Sequence, residues 1–165
     1  MRNVEEVFMD KYELWIEDHN KWKEKVHGFD TKLKNNPIDF QSDDWSDALR
    51  GLKQESLVLM KELDRYLEEE ERSIFPAAKL YTCGKIGPVS ALEQDHLLAK
   101  HFYEMFLEQA SSAAAYLDRG AAEDALSCLK QVLMIVSEHF RIEEQTVFPS
   151  KERIMAELLS SGEPD

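Results

Sequence analysis

His139-Phe-Arg-Ile-Glu-Glu-Gln-Thr-Val-Phe-Pro149 repeats, nearly position for position, the earlier segment Tyr66-Leu-Glu-Glu-Glu-Glu-Arg-Ser-Ile-Phe-Pro76. In each segment a carboxylate stands four positions after the first residue, a second carboxylate follows it, and Phe-Pro closes the run. Residues four apart on a helix lie on one face, so each segment can point two metal-binding side chains the same way. Two such helices facing each other would build a metal site inside a helical bundle.

The size and composition of the chain predict one helical domain. The sequence has 165 residues, 43% of them hydrophobic, which suits a domain with its own core. Leu, Ala, Glu and Lys dominate, Gly and Pro are scarce, and no long alternating β-branched run occurs. We therefore expect an all-α domain over residues 1–160 and a frayed tail over residues 161–165.

The charge of the chain excludes several classes of partner. The net charge is −13, whereas binding to nucleic acids and anionic membranes requires clustered Lys and Arg. No apolar run approaches the roughly 20 residues of a membrane span, and the N-terminus has no apolar signal core. The two cysteines, Cys83 and Cys128, are fewer than a secreted disulfide scaffold would have. The sequence therefore predicts a cytoplasmic protein without nucleic-acid or membrane partners.

Apolar residues that recur at helical spacing predict four long helices and a short one. The predicted helices are Val4–Val26, Asp43–Phe75, Val89–Asp118, Ala121–Phe148 and, at the C-terminus, Lys151–Leu159, with a loop over Phe29–Gln41 and a turn over Cys83–Pro88. Gly28 and the pair Arg119-Gly120 are expected to end the first and third helices, and Pro76 is expected to end the second helix or to kink it nearby. Short connections between long helices favour an up-down-up-down four-helix bundle.

Every predicted long helix places polar side chains on its apolar stripe. These residues are His19 on the first helix, Tyr66 and Glu70 on the second, His96 on the third, and His139 and Glu143 on the fourth. A buried unpaired carboxylate or imidazole is costly, and one shared cation would relieve all of them together. Imidazole and carboxylate ligands suit iron, manganese or zinc, and bridging carboxylates favour a dinuclear centre.

Each of these signals also has a purely structural explanation. A single His on an apolar stripe is more often a hydrogen-bonded core residue than a metal ligand. The run Glu68–Glu71 is typical of a solvated helix face, with one residue directed inward. His27, beside Gly28, is expected to meet the last carbonyls of its helix, and His101 lies off the face of His96 and is expected to be structural. Because the polar positions occur on all four helices, we favour the metal site.

The order and spacing of these residues resemble the hemerythrin-like, HHE cation-binding family. That family has one His on the first helix, His-x-x-x-Glu on the second, one His on the third and His-x-x-x-Glu on the fourth. The matching positions over residues 8–150 are Asp18-His19, Tyr66-x-x-x-Glu70, Asp95-His96 and His139-x-x-x-Glu143. The resemblance implies a four-helix bundle with a non-haem di-iron centre, in which two Glu bridge the ions and His residues are terminal ligands. The ligands it implies are His19, Glu70, His96, His139 and Glu143.

The chain departs from the family pattern at Tyr66, which stands where the second helix of the family has its His. Tyr66 would bind iron(III) as a phenolate, or donate a hydrogen bond beside an open coordination position, or mark the loss of one metal ion. The oxygen carriers of the family have a further His four residues after the first one on the third helix. Here that position is Lys100, so a reversible oxygen carrier of that type is not expected.

Three functions are compatible with this sequence. The resemblance implies an iron protein that binds or senses dioxygen, nitric oxide or redox state. The second function is an oxidoreductase acting on peroxide, dioxygen or nitric oxide in a shielded site. The third is a bundle with a degenerate site that binds no metal and acts through protein contacts.

Overall fold

The computed structural model of the protein describes residues 4–81 and 87–160, and all regular structure within these ranges is helical. The helices are α1 (Val4–Asn35), α2 (Trp45–Glu69), α3 (Phe75–Tyr81), α4 (Gly87–Ala110), α5 (Ala114–Leu117) and α6 (Arg119–Ser160). A π-helical turn over Glu70–Ile74 joins α2 to α3, so that these segments form one long helix. The expected all-α fold is confirmed.

The long helices run antiparallel to their neighbours. In each pair of neighbouring helices, contacts that come later in one helix come earlier in the other. The contacts are Lys25–Glu62 and Lys32–Glu55 for α1 and α2, Lys53–Ser111 and Lys79–Glu93 for the α2–α3 helix with α4 and the residue after it, and His96–His139 and Gln109–Cys128 for α4 and α6. This order is that of an up-down-up-down bundle, as the sequence predicts.

The first helix is longer than predicted, because α1 passes through Gly28 without ending. Leu33 is buried and Phe29 packs against the same core, so the apolar stripe continues beyond the glycine. A glycine inside a helix costs about 1 kcal/mol, which is less than a buried leucine side chain contributes. The predicted loop over Phe29–Gln41 is therefore too long, and His27 lies exposed within the helix instead of at its last carbonyls.

The second long helix passes through Pro76 instead of ending beside it. In the π-helical turn before the proline, the Phe75 N–H bonds to the carbonyl of Glu70, five residues back. This bond shifts the hydrogen-bond ladder just before the residue that has no N–H to donate. The predicted end at Phe75 is wrong, and the chain continues as α3.

The last helix likewise continues through Pro149. The predicted C-terminal helix over Lys151–Leu159 is therefore the end of α6 and not a separate element. The carbonyl of Val147 accepts hydrogen bonds from the hydroxyls of Tyr12 and Ser150. Side-chain donors thus satisfy a backbone group in the turn that the proline disturbs.

The third long helix ends at Ala110, earlier than predicted, and the short helix α5 follows a turn. The Ser112 hydroxyl donates to the carbonyl of Gln109, and the Tyr116 hydroxyl donates to that of Ala110. Hydroxyl groups that bond to nearby carbonyls compete with continuation of the helix. The prediction of one helix over Val89–Asp118 is therefore wrong beyond Ala110.

Arg119 and Gly120 begin α6 and do not end the helix before it. Asp118 has an extended backbone, with φ −120° and ψ 118°, and its carboxylate accepts a hydrogen bond of 2.9 Å from the Gly120 N–H. This is the arrangement of a helix N-cap, in which an acidic side chain satisfies one of the free N–H groups of the first turn. The capping carboxylate therefore decides where α6 starts.

Some predictions fall wholly or partly outside the described residues. These are Cys83, most of the predicted turn over Cys83–Pro88, and the tail over residues 161–165. Only the last two residues of the predicted turn are described, and they begin α4. Within the described ranges, no helix has the length and apolar character that crossing a membrane requires.

The core positions the polar side chains inside a shell of aromatic rings. Phe140 and Phe148 contact the ring of His19, with centroids 5.1 and 4.6 Å away. Phe75 contacts His96 on the opposite side of the centre, at 5.4 Å. These rings separate the centre of the bundle from solvent and limit the movement of both imidazoles.

Candidate metal centre

Three buried side chains from three helices meet at the centre of the bundle. Glu70, His96 and His139 each offer a ligand atom, and these atoms lie within 4.8 Å of one another. The His96 and His139 Nε2 atoms are 3.1 Å apart, and Glu70 Oε2 lies 3.3 Å from His139 Nε2 and 3.7 Å from His96 Nε2. Metal–ligand bonds of about 2.0–2.2 Å place neighbouring ligand atoms at such separations, so this trio can hold one cation.

Glu143 connects this trio to His19. Its Oε1 atom lies 2.6 Å from His139 Nε2, and its Oε2 atom lies 3.8 Å from His19 Nδ1. His19 and Glu143 are both fully buried. The structure thus places His19 beside Glu143 and outside the trio, which gives two adjacent groups of donors along the bundle.

A single nitrogen of His139 faces more partners than it can satisfy. His139 Nε2 has the oxygens of Glu143 and Glu70 and the Nε2 atom of His96 at 2.6, 3.3 and 3.1 Å. An imidazole nitrogen either donates one proton or accepts one, so it cannot pair with all three. A cation among these atoms would satisfy all of them together.

Tyr66 is buried beside the two inner carboxylates. Its hydroxyl makes no hydrogen bond with the described residues. Burial raises the pKa of the phenol far above its ordinary value, the charges of Glu70 and Glu143 raise it further, and the nearby Trp15 indole lowers it. Without a cation, Tyr66 is therefore a neutral phenol at neutral pH.

The carboxylates and imidazoles shift each other's protonation. Burial raises the pKa of Glu70, but hydrogen bonds and charges from His139 and His96 outweigh burial and lower it to about 2. Burial and then the charge of Glu70 raise the pKa of Glu143. For His139, burial lowers the pKa, yet Asp95, Glu143 and Glu70 together raise it well above the usual value. The centre therefore attracts positive charge.

The local sequence explains why only one residue of Glu68–Glu71 points inward. Glu70 is fully buried, whereas Glu68, Glu69 and Glu71 are exposed, as the sequence predicts. Glu70 is also the first residue of the π-helical turn, and such turns occur often at functional sites.

Each central histidine also has a carboxylate at its other ring nitrogen. The outer pairs are His19 Nε2 with Glu144 Oε1 at 3.2 Å, His96 Nδ1 with Glu71 Oε1 at 2.7 Å, and His139 Nδ1 with Asp95 Oδ2 at 3.7 Å. Histidines that bind metals usually have such a partner, which fixes the tautomer and the ring orientation. Helical spacing predicts no role for these carboxylates, although Glu71 and Glu144 directly follow the two inner carboxylates.

The other residues considered from the sequence lie away from this centre. His27, Lys100 and His101 are exposed, and the His101 ring contacts Phe102. Cys128 is buried at the far end of the bundle, where its sulfur lies 4.0 Å from the Gln109 side-chain oxygen. None of these side chains belongs to the cluster of Glu70, His96 and His139.

The unsatisfied polar atoms provide a test of whether these residues fit a metal. Eight buried side-chain atoms among the described residues have no hydrogen-bond partner, and they belong to Trp15, His19, Tyr66, Glu70, Asp95, His139 and Glu143. Two of the atoms, His139 Nδ1 and Asp95 Oδ2, face each other at 3.7 Å on the outer side of the imidazole, and the other six lie at or beside the centre. Native proteins leave few buried polar groups without a partner, so their concentration here fits a bound cation.

The comparison with known proteins agrees with this geometry. Residues 10–150 match the family model described as the hemerythrin HHE cation binding domain, which spans most of the chain. No curated protein and no solved structure matches the chain.

Proposed function

The chain belongs to the hemerythrin HHE cation-binding domain family, and on this premise we propose that it is a non-haem iron protein. Its centre would bind or sense dioxygen, nitric oxide or a change in redox state. The observation that carries this proposal is the concentration of unpaired polar atoms at one place, since six of the eight such atoms among the described residues lie at or beside the candidate centre. Iron bound there would supply a redox-active site for a small ligand.

We propose that two ions occupy the two groups of donors. Glu70, His96 and His139 would hold one ion, and His19 with Glu143 would hold the other. His139 Nε2 lies 2.6 Å from the Glu143 carboxylate, so the two groups adjoin and a carboxylate is placed to bridge them. The mixture of nitrogen and oxygen donors also suits manganese or zinc, which makes the identity of the metal part of the test.

Tyr66 has two proposed roles beside the inner carboxylates Glu70 and Glu143. It would bind as a phenolate or donate a hydrogen bond beside an open position. Its burial beside Glu70 and Glu143, with no hydrogen-bond partner among the described residues, supports both roles.

The protein residues themselves would perform three tasks. Glu71, Asp95 and Glu144 would hold the imidazoles in one orientation through their outer nitrogens. The aromatic rings around His19 and His96 would keep bulk water away from the centre. We also propose the cytoplasm as the compartment, because two cysteines are few for a secreted protein.

Metal analysis of the purified protein tests the proposal. We expect about two iron ions per chain after expression in iron-rich medium, as the two donor groups imply. A His96→Ala variant should lose iron, whereas the control His101→Ala, with an exposed histidine on the same helix, should retain it. A wild-type iron content near zero would instead support the metal-free scaffold.

The same preparation distinguishes a binding protein from an oxidoreductase. A reversible, stoichiometric change in the visible spectrum on adding nitric oxide or dioxygen is expected for a binding or sensing protein. Sustained consumption of peroxide, dioxygen or nitric oxide by catalytic amounts of protein would support the enzyme.

A further inference from the structure

A pocket of about 410 Å³ lies on one side of the bundle between α1 and the α2–π-turn segment. Leu14 lies at its rim and is 59% exposed, while Trp15 and Tyr66 belong to its wall and are buried. Ser73 and Ile74 of the π-helical turn complete the opposite side. The pocket therefore extends from solvent to the rings of Trp15 and Tyr66, behind which the Tyr66 hydroxyl is buried.

Trp15 contributes a polar group that has no partner. Its indole N–H is buried and makes no hydrogen bond with the described residues. The indole contacts the ring of His19 at 5.9 Å, and its N–H faces the Tyr66 hydroxyl closely enough to lower the pKa of that phenol, although the two groups do not reach hydrogen-bond geometry. An indole nitrogen can only donate, so an acceptor at this place would satisfy it.

A larger groove, of about 1000 Å³, lies on another face of the bundle between α1 and α6. Met134 lies in it and is as exposed as Leu14, at 59%. The groove reaches Asp95, whose carboxylate faces Nδ1 of His139, while Nε2 of the same ring faces the centre. The imidazole of His139 therefore separates this groove from the candidate metal positions.

We propose that the pocket at Leu14, Trp15 and Tyr66 is the entrance through which a small ligand reaches the metal centre, and that the Trp15 indole N–H is the donor that holds this ligand. The proposal rests on the proposed function. It adds a route, a side of the centre and a donor, none of which follows from the presence of metal alone.

The surroundings of the pocket define the class of ligand. The Tyr66 hydroxyl has almost no accessible surface, so only a molecule of a few atoms passes beyond the aromatic wall after small side-chain movements. The rim carries both Lys11 and Arg65 and the acidic Asp18, Glu62 and Glu69, so no single charge dominates. A neutral or singly charged small molecule with a hydrogen-bond acceptor fits these conditions.

The entrance is tested by measuring the rates of azide binding to the iron-loaded protein with stopped-flow absorbance. We expect Leu14→Trp to slow both association and dissociation about tenfold or more, because a blocked entrance affects passage in both directions and leaves Kd nearly unchanged. Met134→Trp is the matched control, since it places the same bulk at an equally exposed position in the other groove. Iron content is measured for every sample.

The outcomes separate the entrance from the proposed function. A chain without iron overturns both. If the iron content is normal and Met134→Trp changes the azide rates while Leu14→Trp does not, the entrance alone is overturned. Equal rates in both variants also overturn it.

A second variant tests the donor. Trp15→Phe keeps an aromatic wall but removes the N–H, so azide should bind about three- to tenfold more weakly, the usual effect of one hydrogen bond. In the protein loaded with diamagnetic zinc, the Trp15 indole N–H resonance should move on adding azide, whereas that of Trp45, which lies outside the pocket beside Phe40, should not. Unchanged azide affinity and an unmoved Trp15 resonance would contradict the role of the donor.

Discussion

At the scale of single residues, the main finding is that each central histidine uses both ring nitrogens. One nitrogen faces the inner carboxylates, and the other faces Glu71, Asp95 or Glu144 on the outside. A carboxylate at the outer nitrogen keeps the proton there, so the inner nitrogen presents its lone pair to a cation. The outer carboxylates therefore prepare the imidazoles for metal binding.

The first prediction concerns Asp95. Asp95→Asn should weaken metal affinity about tenfold or more, because losing the outer partner of a metal-bound histidine typically costs 10–100-fold. Asp18→Asn is the control: Asp18 precedes His19 as Asp95 precedes His96, but its carboxylate is exposed and lies 4.0 Å from Lys21. Competition with a chelator of known affinity measures the metal affinity of both variants. Equal affinities for the two variants would contradict the assigned role.

Tyr66 gives the second prediction at this scale. If its phenolate binds iron(III), the oxidised protein has a visible charge-transfer band that Tyr66→Phe removes, whereas a hydrogen-bonding phenol gives no such band. The buried position of Tyr66 beside Glu70 and Glu143 makes the metal-free phenolate unfavourable, so only a bound cation can stabilise it. Visible spectra of the wild-type protein and Tyr66→Phe at equal iron content decide between these two roles. A band that persists in Tyr66→Phe rules out the phenolate.

At the scale of the elements, the π-helical turn over Glu70–Ile74 connects the fold to the site. The turn contains one residue more than an α-helical turn would, so it sets how Glu70 and Phe75 face the centre at the same time. Glu70 contacts His139 on α6, and Phe75 contacts the ring of His96 on α4. A regular α-helix in this place could present only one of these two contacts correctly.

The third prediction follows from this register. Deleting Arg72, which is exposed, should convert the turn to α-helix and rotate the residues on one side of it by about 100° relative to the other. We expect metal affinity to fall about tenfold or more, with helix content by circular dichroism retained. Arg72→Ala, which keeps the length of the turn, is the control. Normal affinity in the deletion variant would show that the π-helical turn has no part in building the site.

At the scale of the whole molecule, the centre joins the elements of the bundle. Its side chains come from α1, the α2–α3 helix, α4 and α6, and several of them are buried without partners. The buried carboxylate of Glu143 raises the energy of the metal-free bundle, because burial and the charge of Glu70 both disfavour its charged form. A bound cation would therefore stabilise the whole fold and not only the site.

The fourth prediction is a metal-dependent thermal stability. Metal at a concentration 100 times its Kd stabilises a folded chain by about 2.7 kcal/mol, which for this length raises Tm by about 5–10 °C. Removal of iron by a chelator should lower Tm by that amount, as measured by calorimetry. His96→Ala should show the lower Tm with or without iron, because its trio of ligands is incomplete. Identical Tm values for the iron-loaded and metal-free wild-type protein would contradict the prediction.

The sequence alone determined the helices and the inward positions of His19, Glu70, His96, His139 and Glu143, because both follow from spacings of three or four residues within one helix. Those side chains are buried as predicted, although their binding of metal stays a proposal.

Only the tertiary structure decided where the helices end and which carboxylates stand behind the histidines. Gly28, Pro76 and Pro149 resemble helix ends in the sequence, yet the helices pass through all of them. Burial of Leu33 and the hydrogen bond from Tyr12 to the Val147 carbonyl accompany this continuation, and both depend on other helices. Likewise, Asp95 partners His139 and not its neighbour His96. Helical periodicity is local and can be read along the chain, whereas these contacts join residues far apart in sequence and arise only when the helices pack.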